Sequence, residues 1–152
     1  MSNGPIVGFR SVRDAKNGFF DRAAVIGAMD ATARKVLSKF GAFVRRSAQL
    51  SIRTRKGHSP PGSSPHGHVG LLRKFIFFSW DNDRRSVVVG PAKLNGRASS
   101  DAPKALEYGG WFNRRGRNGP RVANYPARPF MGPAFDANLP KLPKMWAGAL
   151  RK

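Results

Sequence analysis

The three histidines are the residues best suited to metal chemistry, because all of them lie in one short stretch, HSPPGSSPHGH. The spacing of His66 and His68 would place two imidazoles on one side of an extended segment, with His58 nearby. A zinc site needs a third and a fourth ligand, and the nearest acids are Asp81 and Asp83, beyond a predicted strand. We therefore predict a polar surface loop here and no metal site.

Carboxylates are too scarce to suggest general acid–base catalysis. Only eight acidic residues occur in the 152-residue chain, and Glu107, in the stretch LEYGG, is the only glutamate. Its spacing to other residues reveals no catalytic partner. Glu107 is better explained as a structural anchor that accepts hydrogen bonds from an arginine or from backbone amides.

The other common signatures of catalysis are also missing from the sequence. The chain has no cysteine, which excludes disulfides, thiolate chemistry and cysteine-based zinc sites. No nucleophile elbow is present, and no glycine-rich loop stands between a strand and a helix to hold phosphates. We expect a protein without enzymatic activity, cofactor or metal.

Charge is the dominant feature of the composition. Lysine and arginine total 28 against eight acids, which gives a formal net charge of +20. Such a chain repels itself unless an anionic partner lies close: nucleic acid, an acidic protein or a membrane surface. A solvated basic surface is the alternative. The basic residues that we predict to contact DNA or an acidic partner all lie in predicted loops: Arg53, Arg55, Lys56, Arg114, Arg115 and Arg117.

Known nucleic-acid modules do not explain this charge, since neither zinc-finger spacing, an RNP-type aromatic signature nor a helix-turn-helix is evident. The sequence has no apolar run of eighteen residues, so no transmembrane helix is expected. The first residues lack the apolar core of a signal peptide. We therefore expect the protein to act in the cytoplasm where it is made, or in a particle assembled there.

A long amphipathic helix is predicted over residues 19–52, after an arm over residues 1–18. Apolar residues recur in it at spacings of three and four, which places them on one face. These residues are Ile26, Met29, Ala33, Val36, Leu37, Phe40, Phe43 and Val44.

The remainder of the predicted domain, up to residue 152, is a series of short elements. Proline and glycine exclude regular structure from the segment that follows the helix, and aromatic and branched residues then favour strands. Pro140 and Pro143 require the C-terminal helix to be broken. The predicted elements are a loop over 53–70, a β-hairpin over 71–91, a short helix over 103–110, a basic loop and strap over 111–128, and a C-terminal helical region over 129–152. Within the basic loop, residues 112–122 suit either a flexible loop or a hairpin tip.

The strap lies in an unusual stretch over residues 125–138, YPARPFMGPAFDAN, in which three prolines separate large apolar residues. We expect Phe130 and Met131 to be poorly covered within one chain of this size. Two explanations remain open: a contact with a neighbouring subunit, or an intrachain connection pinned by Arg128 to Glu107. The predicted subunit or partner contacts are Phe130, Met131, Arg128, Glu107 and Trp146.

Four short motifs, taken in order along the chain, carry a resemblance to a known family. They lie at Pro61–Phe77, Val89–Pro91, Leu106–Gly109 and Arg128–Ala134. Their order and spacing resemble the tail-component or tail-completion proteins of tailed bacteriophages, which are related to minor tail protein Z. The resemblance covers roughly residues 19–150.

This resemblance implies an α+β fold, in which a long N-terminal helix packs on a small antiparallel β-sheet with extended arms. It also implies a structural virion protein in a homo-oligomeric ring, expected to be a hexamer, that joins tail to head at the neck or the proximal tail end. The implied partners are sister copies, connector, head-closure or tail terminator and tube proteins, and packaged DNA in the channel, with no membrane. The protein would be part of a virion assembled in the host cytoplasm. The alternative function is a stand-alone basic nucleic-acid-binding protein.

Overall fold

The computed structural model describes residues 22–68, 70–92, 102–116 and 119–149. The predicted arm over residues 1–18 lies outside these ranges, as does the predicted helix start at residue 19. The described elements form a mixed α+β fold, as predicted: a long first helix, two small antiparallel sheets and short C-terminal helices.

Helix α1, Arg22–Ser51, is the central element of the fold. Val36, Phe40, Val44 and Ala48 are buried along one face, at the spacing of three to four residues that the sequence predicted. The helix ends one residue before the predicted position, and Ile52 continues the buried face just after it. Residues 53–68 then form the predicted loop without helices or strands.

The first hairpin pairs strand β1, Ile76–Asp81, with strand β2, Ser86–Pro91. The turn is held by Asp81, whose Oδ1 accepts the backbone N–H of Asp83 and of Arg84, both at 3.1 Å. The predicted hairpin is therefore confirmed in both strands.

The predicted start of that hairpin is wrong, because Leu71–Lys74 form a short helical turn, α2, instead of strand. Backbone bonds from Lys74 N to Gly70 O and from Phe75 N to Leu71 O close this turn. The turn lets Leu72 pack against the core, and it exposes the Arg73 carbonyl to Gln49 Nε2 at 3.1 Å. Tertiary contacts thus override the strand propensity of the segment.

Helix α1 lies directly on this hairpin, and the close approach depends on Gly41. A Cβ added there would stand 2.5 Å from Val87 Cγ1 and 3.4 Å from Phe78 Cδ2. Arg45 Nε donates to Ile76 O at 2.8 Å and thereby fixes the start of β1 against the helix. The core between these elements is formed by Phe40, Val44, Ala48, Ile52, Ile76, Phe130 and Ala134.

Helix α3, Ala102–Tyr108, confirms the predicted short helix and leads into a second antiparallel hairpin. Its strands are β3, Gly110–Gly116, and β4, Gly119–Tyr125. Of the two interpretations of residues 112–122, a flexible loop or a hairpin tip, the flexible loop is wrong and the hairpin is confirmed. Paired backbone hydrogen bonds and an edge-to-face contact between Phe112 and Tyr125, with ring centroids 6.4 Å apart, stabilise strands instead.

The C-terminal helical region is broken, as the prolines predicted. Helix α4, Met131–Asn138, passes through a 3₁₀ turn, Leu139–Lys141, into helix α5, Leu142–Ala149. The buried Asn138 side chain joins this region to α1, since its Nδ2 donates to Ser47 Oγ at 2.8 Å.

Candidate assembly site

Three segments that are distant in sequence meet at the strap, and we call this meeting point the strap junction (residues 59–64, 105–109 and 126–132). Gly62 N donates to Ala127 O at 2.8 Å, and Arg128 N donates to Leu106 O at 2.6 Å. Arg128 Nε donates to Ser59 O at 2.8 Å. The strap is therefore bonded to the proline-rich loop on one side and to α3 on the other.

The Glu107 carboxylate is the centre of the strap junction. It accepts the backbone N–H groups of Phe130, Met131 and Gly132 at 2.9, 3.0 and 2.8 Å. These amides belong to the first turn of α4, where backbone N–H groups have no partner within the helix and negative charge is favourable. Glu107 is thus the structural anchor that the sequence predicted, bound to amides.

The predicted pairing of Arg128 with Glu107 is wrong. The Arg128 guanidinium instead donates to backbone carbonyls, those of Ser59 and of Pro126, while the Glu107 oxygens receive amides. Arg128 therefore bonds the strap to the proline-rich loop, whereas Glu107 bonds it to α3.

Phe130 is fully covered within the chain, at 1% exposure, so the prediction that a single chain would leave it poorly covered is wrong. It belongs to the same core cluster as Ile52 and Ile76, and its backbone N–H is bonded to Glu107. Met131 is half-buried against the same core, and Trp146 on α5 is also half-buried.

Gly109 allows the strap to approach α3 closely. Its φ of +67° lies in the left-handed region, and an added Cβ would stand 2.8 Å from both Ala127 N and Tyr125 O. A side chain at this position would collide with backbone that cannot rotate away. This requirement for glycine at position 109 becomes visible only in the folded chain.

The second hairpin contrasts with the junction, and we call residues Gly110–Tyr125 the hairpin arm. The element it contacts most outside itself is α3, at its base. Trp111 and Val122 lie on one face, because Trp111 pairs with Asn124 and the neighbouring Asn113 pairs with Val122. Trp111 is 72% exposed and Val122 is also exposed, so this face presents apolar surface to solvent.

The start of α1 is a second exposed region, and we call residues 22–29 the helix arm. Every residue of it is exposed, and the first buried residue of α1, Val36, comes about 21 Å along the helix from its start. Its apolar side chains include Met29, at 63% exposure, together with Val25 and Ile26. An ion pair of Asp30 with Arg85, at 3.1 Å, holds the helix to the first hairpin just after the helix arm.

The basic residues predicted to contact a partner occupy two separate elements. Arg53, Arg55 and Lys56 are exposed in the loop after α1. Arg114 and Arg115 were expected in a loop, and the structure places them on β3, opposite Arg121 and Pro120 of β4. The remaining residue of this predicted set, at position 117, lies outside the described residues.

The histidines stay close without forming a metal-binding group. The rings of His58 and His68 meet edge to face, with centroids 6.1 Å apart. Across residues 22–68, 70–92, 102–116 and 119–149, no three histidine, aspartate or glutamate side chains cluster in a way that could hold a metal ion. The same ranges contain no helix of the length and apolar character needed to cross a bilayer.

Comparisons with family models, curated proteins and solved structures give no match to this chain.

Proposed function

We propose that the chain is a structural subunit of a tailed-phage virion, one of several copies in a ring at the neck or proximal tail end that joins tail to head. The observation that carries the proposal is the pair of arms. The hairpin arm and the helix arm present Trp111, Val122 and Met29 to solvent, and no described residue of the same chain covers them. Interlocking subunits bury such surface on their neighbours.

The strap junction supports the resemblance on which the proposal also rests. Three of the four motifs contact one another. Arg128 N donates to Leu106 O and Phe130 N donates to Glu107, which joins Arg128–Ala134 to Leu106–Gly109, and Ser64 Oγ in the proline-rich loop donates to Pro129 O at 3.5 Å. Short motifs that are weak separately thus form a single physical unit. The fourth motif ends β2, where Val89 packs against the core.

The positive charge has two roles under this proposal. The net charge of +20 would favour contact with DNA passing through a channel, or with an acidic neighbouring ring whose docking it would accelerate. The exposed Arg53, Arg55 and Lys56 are the described residues placed to make such contacts, since they extend from a loop. The same charge favours the alternative function, a stand-alone nucleic-acid-binding protein.

Sedimentation velocity of nuclease-treated protein in about 1 M NaCl separates the two functions, because the Debye length there is about 3 Å and phosphate contacts are screened. The ring proposal predicts one discrete oligomer that persists in this salt. A monomer at every protein concentration, together with duplex binding whose affinity falls steeply with salt, would favour the alternative.

A further inference from the structure

A groove between α1 and α5 combines positive charge with an apolar floor. It encloses about 830 Å³. Lys35 and Lys39 rise from the α1 side, and Lys141 and Lys144 rise from the other side. No carboxylate is among the described residues that line it. The chain has 18 arginines and 10 lysines, yet the cations at this groove are all lysines.

None of the four lysines has a counter-ion among the described residues. Lys35, Lys39 and Lys144 form no ion pair with any residue in the described ranges. Lys141 is held differently: its Nζ donates to Asn138 Oδ1 at 2.7 Å and lies 5.3 Å from the centroid of the Phe43 ring. The groove therefore presents positive charge that the fold itself leaves uncompensated.

The floor of the groove is apolar, formed by Val36, Phe43 and Met145. Lysine stems extend this surface, because their methylene groups lie along it while the ammonium groups stay in water. A partner that fills the groove must therefore bring both apolar side chains and negative charge.

This combination fits a protein helix better than a nucleic acid. Phosphate contacts need only the lysines and would leave the apolar floor uncovered. Single strands bind such surfaces by stacking bases on aromatic rings, but the Lys141 ammonium already lies over Phe43. A helix about 10 Å across can rest between two others at ordinary packing distances and bury an apolar stripe there.

We propose that the groove between α1 and α5 binds an acidic amphipathic helix of a protein partner. Lys35 and Lys39 lie about 6 Å apart along α1, one turn of helix. The partner helix therefore carries acids at intervals of three or four residues on both flanks of its apolar stripe. This inference is independent of the arms and of the proposed ring.

The test uses a fluorescein-labelled peptide of about 18 residues, with leucines at i, i+3, i+4 and i+7 between flanking glutamates. Binding is measured by fluorescence anisotropy on the full chain. The double variant Lys39→Glu/Lys144→Glu is expected to weaken binding about tenfold or more. The matched control is Lys74→Glu/Lys104→Glu, which makes the same charge change at exposed positions outside the groove and is expected to weaken binding less than about threefold.

Several outcomes would overturn the proposal. Equal losses in the two double variants would show that net charge alone attracts the peptide. Equal affinity for a scrambled peptide of the same composition would remove the role of the apolar floor. Duplex DNA binding that falls about tenfold in Lys39→Glu/Lys144→Glu but less than about threefold in Lys74→Glu/Lys104→Glu would assign the groove to nucleic acid. Circular dichroism and thermal melting of each variant establish that the fold is intact.

Discussion

The strap junction and the hairpin arm adjoin each other in the chain, yet the large side chain at the junction is buried and the one on the arm is exposed. Phe130 is buried where the strap enters α4, and the backbone N–H groups of Phe130, Met131 and Gly132 are all bonded to Glu107. Trp111 lies on a hairpin that extends from α3 and leaves most of its ring in solvent. The junction is bonded within one chain, whereas the arm presents apolar surface that none of the described residues covers.

This difference corrects the interpretation of the strap. A stiff, apolar segment can pack against its own chain or against a neighbouring subunit, and the strap packs against its own chain. Under the proposed function, the surfaces that would assemble are the helix arm and the hairpin arm, which contribute little to the core. Variants at the strap junction should therefore lower the free energy of unfolding, whereas variants in the arms should weaken assembly.

Removing the Phe130 ring is the largest change we expect. Phe130→Ala deletes a fully buried aromatic ring and leaves a cavity between Ile52 and Ile76, at a cost of about 4 kcal/mol in the free energy of unfolding. Urea unfolding followed by circular dichroism measures this loss. A loss below about 1 kcal/mol would contradict the burial of the ring.

Glu107→Gln is expected to cost about 2 kcal/mol, because a neutral amide replaces the charged acceptor of three backbone N–H groups and adds a donor that faces them. The matched control is Asp136→Asn on the exposed face of α4, which should change stability by less than about 0.5 kcal/mol. Equal effects in the same urea experiment would mean that the three hydrogen bonds to Glu107 do not stabilise the fold beyond the loss of one negative charge.

Gly109→Ala should destabilise by about 1 to 2 kcal/mol, since the new methyl group meets strap backbone and the residue has φ of +67°. Gly27→Ala is the control: nothing lies within 4 Å of its added Cβ, and alanine favours helix by up to about 1 kcal/mol. The pair should shift the melting temperature in opposite directions. A stabilising Gly109→Ala would refute the close approach of strap and α3.

The smallest stability effect is expected at the hairpin arm. Trp111→Ala should change the free energy of unfolding by less than about 0.5 kcal/mol, because the ring is mostly exposed. The same variant should weaken self-association about tenfold or more, as removal of a central interface aromatic does. Sedimentation equilibrium measures the association constant, with Val88→Ala on β2 as an exposed apolar control. Undiminished association of Trp111→Ala would exclude the hairpin arm from the interface.

The long helix and the first hairpin could be predicted because their signals are local. The spacing of Val36, Phe40 and Val44 indicates one helical face without knowledge of what covers it. The branched run of β2 and the prolines at 140 and 143 act in the same local way.

The strands of the second hairpin and the burial of Phe130 were not predicted, for different reasons. The asparagine–glycine dipeptide at 118–119 is a strong hairpin signal, but the surrounding arginines also suit a flexible loop, and both interpretations stayed open. The backbone N–H of Phe130 donates to Glu107, which lies 23 residues earlier. A contact at that distance leaves no periodic trace in the sequence, so only the folded chain reveals it.

Hydrogen exchange, measured on the monomer and on the assembled protein, tests the central claim most directly. The claim is that the strap junction is fully bonded within one chain, whereas the two arms are covered only on assembly. The account predicts that amides in residues 110–125 and 22–29 exchange more slowly after assembly. Those of residues 130–132 should be protected equally in both states, because Glu107 already binds them. Protection gained at the strap and not at the arms, or no gain at any protein concentration, would contradict it.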